Sequence, residues 1–394
     1  MKEQLLREAQ IEIQQMKEAA MEEIQSSTAA YVHFQVQQAV EAERVRFIAE
    51  EQNRAWLAEQ NRICLAREQS RQFSRLGLTL FAFMGVTLAV QLALVAVTAL
   101  WEAVGGREID LDNPVILQLF SAVPMYLVAF PVTAALMQLI PKRGRTGRER
   151  WGSVPLLACI VISIGMGLLG NIMGRVVNLF GTPAGDVEQI DDMIRGAGML
   201  VHIGMVVFAA PIVEELLFRK LLIDRIVGYG EGVAVLTSGL LFGLAHGNFS
   251  QFFFAAGIGA LWAYVYVKTG NVGYTIAFHM LFNLLGGMVA VELSKGAMEI
   301  YDPAGLAARM ELFFGVDFGP VFAVMCAILI LLYLLFTFAC MLGGAAILIV
   351  YRKRIRFGPG ERPIAWGRRF HTVVFNVGMI LYLAFCGWLF WLSF

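Results

Sequence analysis

Charge is scarce in this chain. Only 16% of its 394 residues are Asp, Glu, Lys or Arg, 58% are hydrophobic, and mean hydropathy is +0.65. A soluble domain of this length carries more charge and breaks its apolar runs more often. Net charge is zero, so bulk electrostatics gives no pull toward nucleic acid. The five cysteines (64, 159, 326, 340, 386) form no CxxC pair, and four lie in apolar runs. Buried thiols are expected and disulfides are not. The first 75 residues contain no proline and no glycine, and their polar start predicts no cleavable signal peptide. There is no HExxH, which removes the zincin pattern.

What is present is a succession of long apolar runs. They are far longer than barrel strands and do not alternate, so helices must satisfy their own backbone in hydrocarbon. The expected fold is all-α, a polytopic membrane helical bundle. The ~20-residue criterion divides it into about nine spans, at 76–101, 114–140, 152–180, 198–217, 232–249, 250–268, 271–291, 319–351 and 370–394.

Residues 1–75 are set apart as a cytoplasmic amphipathic arm resembling a coiled coil, before a transmembrane domain over 76–394. Leu6, Ile13 and Ala20 recur at seven residues; Ile13, Met16, Ala20 and Ile24 recur at three and four. A break is expected near SSTAAY (26–31). The heptads would also serve self-association, but they decay after Ala20, so a solvated arm is expected.

Loops 141–151 and 352–369 are basic, whereas 102–113, 181–197 and 292–318 are acidic. The positive-inside rule then places the N-terminus in the cytoplasm and the C-terminus outside. Trp101, Trp151, Trp366 and Trp388 near span ends fit an interfacial aromatic belt.

Ionisable residues within spans are costly and point to function. His33 belongs to the arm; His202 and His371 read as interfacial, and Arg175 can snorkel. His246 and His279 lie in apolar runs, and Asn283 follows His279 by four, on the same helix face. The segment VEELLFRKLL (213–222) holds four charges. Adjacent helical residues point about 100° apart, so Glu214 and Glu215 cannot share a role. Arg219, four beyond Glu215, is placed for an ion pair in the favourable order. Glu214 is left without a dedicated cation, as a candidate proton acceptor. Gly230 is the midpoint of 214 and 246, so a helical hairpin would bring Glu214 and His246 to one depth. Gly239, Gly243 and Gly247 form a stripe permitting close helix approach.

EELLFR (214–219), FGLAH (242–246) and HMLFN (279–283) together resemble the three motifs of the CAAX protease and bacteriocin-processing family, across about residues 152–292. The resemblance implies an intramembrane endopeptidase. Glu214 would be the base that activates water, and His246 would help to hold that water. His279 and Asn283 would stabilise the oxyanion, Glu215 and Arg219 would support, and Phe242 would pack beside His246. Lys220 departs from the small residue that many members have there. No cofactor is expected. In a zinc-dependent alternative, Glu214, His246 and His279 would be the ligands. A non-catalytic bacteriocin-immunity or binding protein is the other alternative, and the lack of an inverted repeat speaks against a transporter. The expected partners are the bilayer and a membrane-associated peptide or protein, in a bacterial cytoplasmic membrane.

Overall fold

A computed structural model describes residues 2–111, 113–179, 203–290 and 319–393. The acidic loops expected at 181–197 and 292–318, and His202, lie outside the described residues. The chain divides into two compact units, Met1–Arg67 and Glu68–Phe394.

The first unit is entirely helical and belongs to α1 (Lys2–Ala103). No break occurs near 26–31, contrary to expectation. The hydroxyls of Ser26 and Ser27 donate to Glu23 O and Ile24 O at 3.2 and 3.0 Å, so they bond within the helix instead of competing with it. Exposed pairs such as Arg54–Glu50 and Arg62–Glu59 lie along its surface, where water screens them.

The second unit is all-α, with no strand among the described residues. After α1 come α2 (Pro114–Gln138), α3 (Ser153–Asn178), α4 (203–226), α5 (Glu231–Leu244), α6 (Phe249–Thr269) and α7 (Val272–Gly287). The chain closes with α8 (Gly319–Tyr351), the short α9 (Arg369–Val374) and α10 (Val377–Leu392). Asparagines 113, 248, 271 and 376 cap α2, α6, α7 and α10, each accepting a first-turn backbone N–H.

The protein is an integral membrane protein, but nine crossings are not found. Among the described residues, five helices are long and apolar enough to span, or six if the bent α9–α10 pair counts as one. The runs at 198–217, 232–249 and 271–291 are not confirmed as spans. Helix α5 has 14 residues, which rise about 21 Å against the ~30 Å hydrocarbon core. The described part of the first run lies in α4, which is interrupted by π turns and carries the charge cluster. These elements are sheltered by neighbours, which is where irregular and polar backbone is tolerated at depth.

Glycine sets the closest contacts. A Cβ on Gly239 or Gly243 would come within 2.7 Å of the Ala260 backbone or the Ala256 methyl, so α5 and α6 touch along that stripe. Gly247 has another role: φ is +68°, and it forms the turn between the two helices. Gly77 and Gly378 similarly let α1 and α10 meet backbone to backbone.

The two basic loops gather at one end of the bundle. Gly228 N donates to Arg143 O at 2.7 Å, and Arg362 N donates to Gly228 O at 2.8 Å. Asp224 accepts from Tyr266 (2.7 Å) and pairs with Lys142 and Lys220 (3.2 Å each). Glu231 holds both Lys268 Nζ (2.7 Å) and Gly358 N (2.6 Å). These bonds fix the α4–α5 hairpin to α6. All five cysteines are free, and four are buried.

Overpacking the α5–α6 contact should destabilise the bundle. Gly243→Leu is expected to lose about 1–3 kcal/mol, read as a lower unfolding midpoint in detergent. Gly85→Ala, which meets open space, should leave the midpoint unchanged.

Candidate active site

The site is built on a buried ion pair. Arg219 binds Glu215 through Nε–Oε2 at 3.0 Å and Nη2–Oε1 at 3.1 Å, and both side chains are 0% exposed. Their i, i+4 spacing on α4 makes the ion pair local, and Nη2–Oε1 is its hydrogen bond. The remaining guanidinium contacts come from α5. Nη1 donates to Ser238 Oγ at 3.1 Å, Ser238 donates to Phe218 O at 2.8 Å, and the Phe242 ring centroid lies 4.7 Å from the guanidinium carbon. The charge is therefore both paired and packed.

Glu215 also holds His279. Its Oε1 lies 3.1 Å from Nδ1, and the buried Thr275 hydroxyl, one turn earlier on α7, donates to Val272 O at 3.0 Å. With Nδ1 so engaged, Nε2 faces outward, 3.9 Å from Glu214 Oε2. That distance is too long for a direct hydrogen bond. Glu214 keeps some exposure where Glu215 has none. The two carboxylates thus occupy different environments, as the 100° rule required, yet they meet at opposite nitrogens of one imidazole.

His246 is not inside a span as expected. It lies in the turn after α5, because Gly247 takes a positive φ and Asn248 caps α6. Nδ1 sits 2.9 Å from Phe242 O, which assigns the Nδ1–H tautomer and leaves the Nε2 lone pair open. Its electrostatic neighbours are Glu214 and His279. Phe242 stands edge-on to both imidazoles, at 5.0 Å from His246 and 5.8 Å from His279. Trp262 covers His279 from α6 at 4.8 Å, and its indole N–H donates to Ser163 Oγ of α3 at 3.0 Å. Asn283 spends one amide hydrogen on Val206 O, in a π turn of α4, at 2.8 Å. Its second hydrogen remains for a ligand. Tyr126, on a π turn of α2, lies within electrostatic range of Glu214. π turns also follow Glu215 and Asn283 directly, a pattern common at functional sites.

Sequence reading missed Ser238, Thr275, Trp262, Ser163 and Tyr126. The first two had a signal, since each lies four residues before a motif aromatic, Phe242 or His279. The others come from separate helices and had none. Among the described residues, no three His, Cys, Asp or Glu side chains are arranged to share a metal ion.

Residues 196–285 match the family model for type II CAAX prenyl endopeptidases of the Rce1-like kind. The matched segment includes Glu214, Glu215, Arg219, His246, His279 and Asn283. The match ends just past Asn283 and omits α1–α3 and α8–α10. The chain is also 22% identical over 215 residues to YdiL of Bacillus subtilis (strain 168), provisionally described as a membrane peptidase; the alignment spans 52% of this chain and 86% of that protein. No solved structure matches.

Removing one member of the buried pair should be costly. Arg219→Met leaves the Glu215 carboxylate without its cation and is expected to lose about 3–5 kcal/mol in detergent unfolding. The double change Arg219→Met with Glu215→Leu should recover much of that loss.

Proposed function

We propose that this Rce1-like protein is an intramembrane endopeptidase in which Glu214 activates water. The observation that carries the reading is the carboxylate–imidazole–carboxylate line. Glu215, neutralised by Arg219, anchors His279 Nδ1, and His279 Nε2 faces Glu214 across 3.9 Å. A gap of that size suits a bridging water.

In this mechanism Glu214 takes a proton from the water, and the Nε2 lone pair of His246 helps to hold it. The oxygen attacks the scissile carbonyl and forms a tetrahedral intermediate. Because the Glu215 carboxylate accepts the Nδ1–H of His279, the ring offers an Nε2–H only as imidazolium; in that form it and the second amide hydrogen of Asn283 donate to the oxyanion. Such donors are each worth about 3 kcal/mol of transition-state stabilisation. Glu214 then passes its proton to the departing amine. Trp262 and Phe242 hold the His279 ring, so orientation is set before substrate arrives. The proposed chemistry needs no metal, because the proton acceptor and the oxyanion donors are protein groups.

The substrate class is a membrane-associated peptide or protein. The basic loops 141–151 and 352–369 meet at one end of the bundle, and the positive-inside rule puts that end, with the N-terminus, in the cytoplasm of a bacterial cell.

Comparative proteomics of membrane peptides from cells carrying wild type or Glu214→Gln should show products that depend on Glu214. Unchanged product sets would sink the reading. On a substrate found this way, His279→Ala should lower kcat by about 10²–10³. Chelator should leave the rate unaltered; loss of rate restored by zinc would return Glu214, His246 and His279 to the role of ligands.

A further inference from the structure

Outside the Rce1-like segment, the chain makes a sharp elbow before its last helix. The turn Trp366–Arg368 and helix α9 are bent 66° from α10. With α10 along the membrane normal, a 66° bend would turn α9 closer to the membrane plane than to that normal. One side of the elbow is anchored: Ile364 and Thr372 are buried, and Val373 packs against the core. The other side carries Trp366 at 83% exposure and Phe370 at 70%, with Phe375 also exposed. Arg368 and His371 are exposed beside them. Arg369 stacks on Trp366, its guanidinium carbon 4.4 Å from the ring centroid, and bonds Ile364 O at 3.4 Å. The preceding strip brings Arg352, Lys353, Arg354 and Arg356, all exposed.

We propose that this elbow binds anionic phospholipid at the membrane surface. Large aromatic rings beside arginines, on a short helix turned into the interface plane, match the requirements of headgroup depth. The rings enter the acyl boundary, and the guanidinium groups meet phosphate. Clustered basic residues next to a span attract anionic lipid, with about a fivefold gain in affinity for each. Plain snorkelling would ask only for basic side chains near the surface. It does not require an aromatic face exposed on the outer side of a kink whose inner side is packed. The proposal is independent of the proteolytic reading, since no residue of the candidate active site takes part.

The test uses the full chain in mixed micelles, with native mass spectrometry counting bound phosphatidylglycerol and phosphatidylcholine. Wild type is expected to retain phosphatidylglycerol preferentially, with affinity falling as salt rises. Arg368→Gln with Arg369→Gln should weaken phosphatidylglycerol binding roughly 25-fold. Trp366→Ala should weaken binding of both lipids, and Arg44→Gln with Arg46→Gln, in the arm, should change nothing. Because Arg369 also bonds within the elbow, Arg368→Gln alone, expected to lose about fivefold, guards against a folding effect. Equal retention of the two lipids, salt-independent binding, or unchanged affinity in the Arg368 variants would each overturn the proposal.

Discussion

The structure turns on a carboxylate and a guanidinium that have both left water. Glu215 and Arg219 are fully buried, and neither could stay charged there alone. Desolvation offsets much of the Coulomb attraction in such a pair, so geometry is its main contribution. The ion pair holds the Glu215 carboxylate in place, and His279 Nδ1 sits 3.1 Å from its Oε1. Ser238 and Phe242 then tie the guanidinium to α5, while His279 ties the carboxylate to α7. One ion pair therefore joins the three elements that carry the motifs.

That arrangement explains how two adjacent carboxylates coexist at membrane depth. They do not repel across one shared site. Glu215 is consumed by its partners, while Glu214 looks into a partly open space at the far nitrogen of the same ring. The short helix α5 serves the same end. Stopping at Leu244 puts the chain reversal inside the bundle, and His246 stands on that reversal. Gly247 and Asn248 supply the positive φ and the cap that a buried turn needs.

At the basic end, loops remote in sequence are held by backbone bonds to the α4–α5 turn. Asp224 and Glu231 neutralise the lysines nearest to them, and Arg143 and Arg362 both pair with Glu68. The arginines of the elbow extend beyond this clasp. The molecule thus separates an inner ion-paired layer from an outer basic and aromatic surface.

The sequence by itself determined the helical membrane class, the buried cysteines and the Glu215–Arg219 pair, because each follows from local periodicity or composition. It also singled out Glu214, His246, His279 and Asn283, since ionisable groups in apolar runs are conspicuous. The number of crossings was not legible. An apolar run does not show where a helix inside it stops, and α5 ends after 14 residues where the chain turns. The continuity of α1 past Ser26 was hidden for a related reason: polar residues that favour turns can also bond back into a helix. Tertiary structure alone brought Trp262 and Ser163 to His279, gave Val206 the Asn283 amide, and let His279 join two carboxylates. These contacts cross 77 positions between Val206 and Asn283 and 99 between Ser163 and Trp262, and no helical spacing encodes such distances.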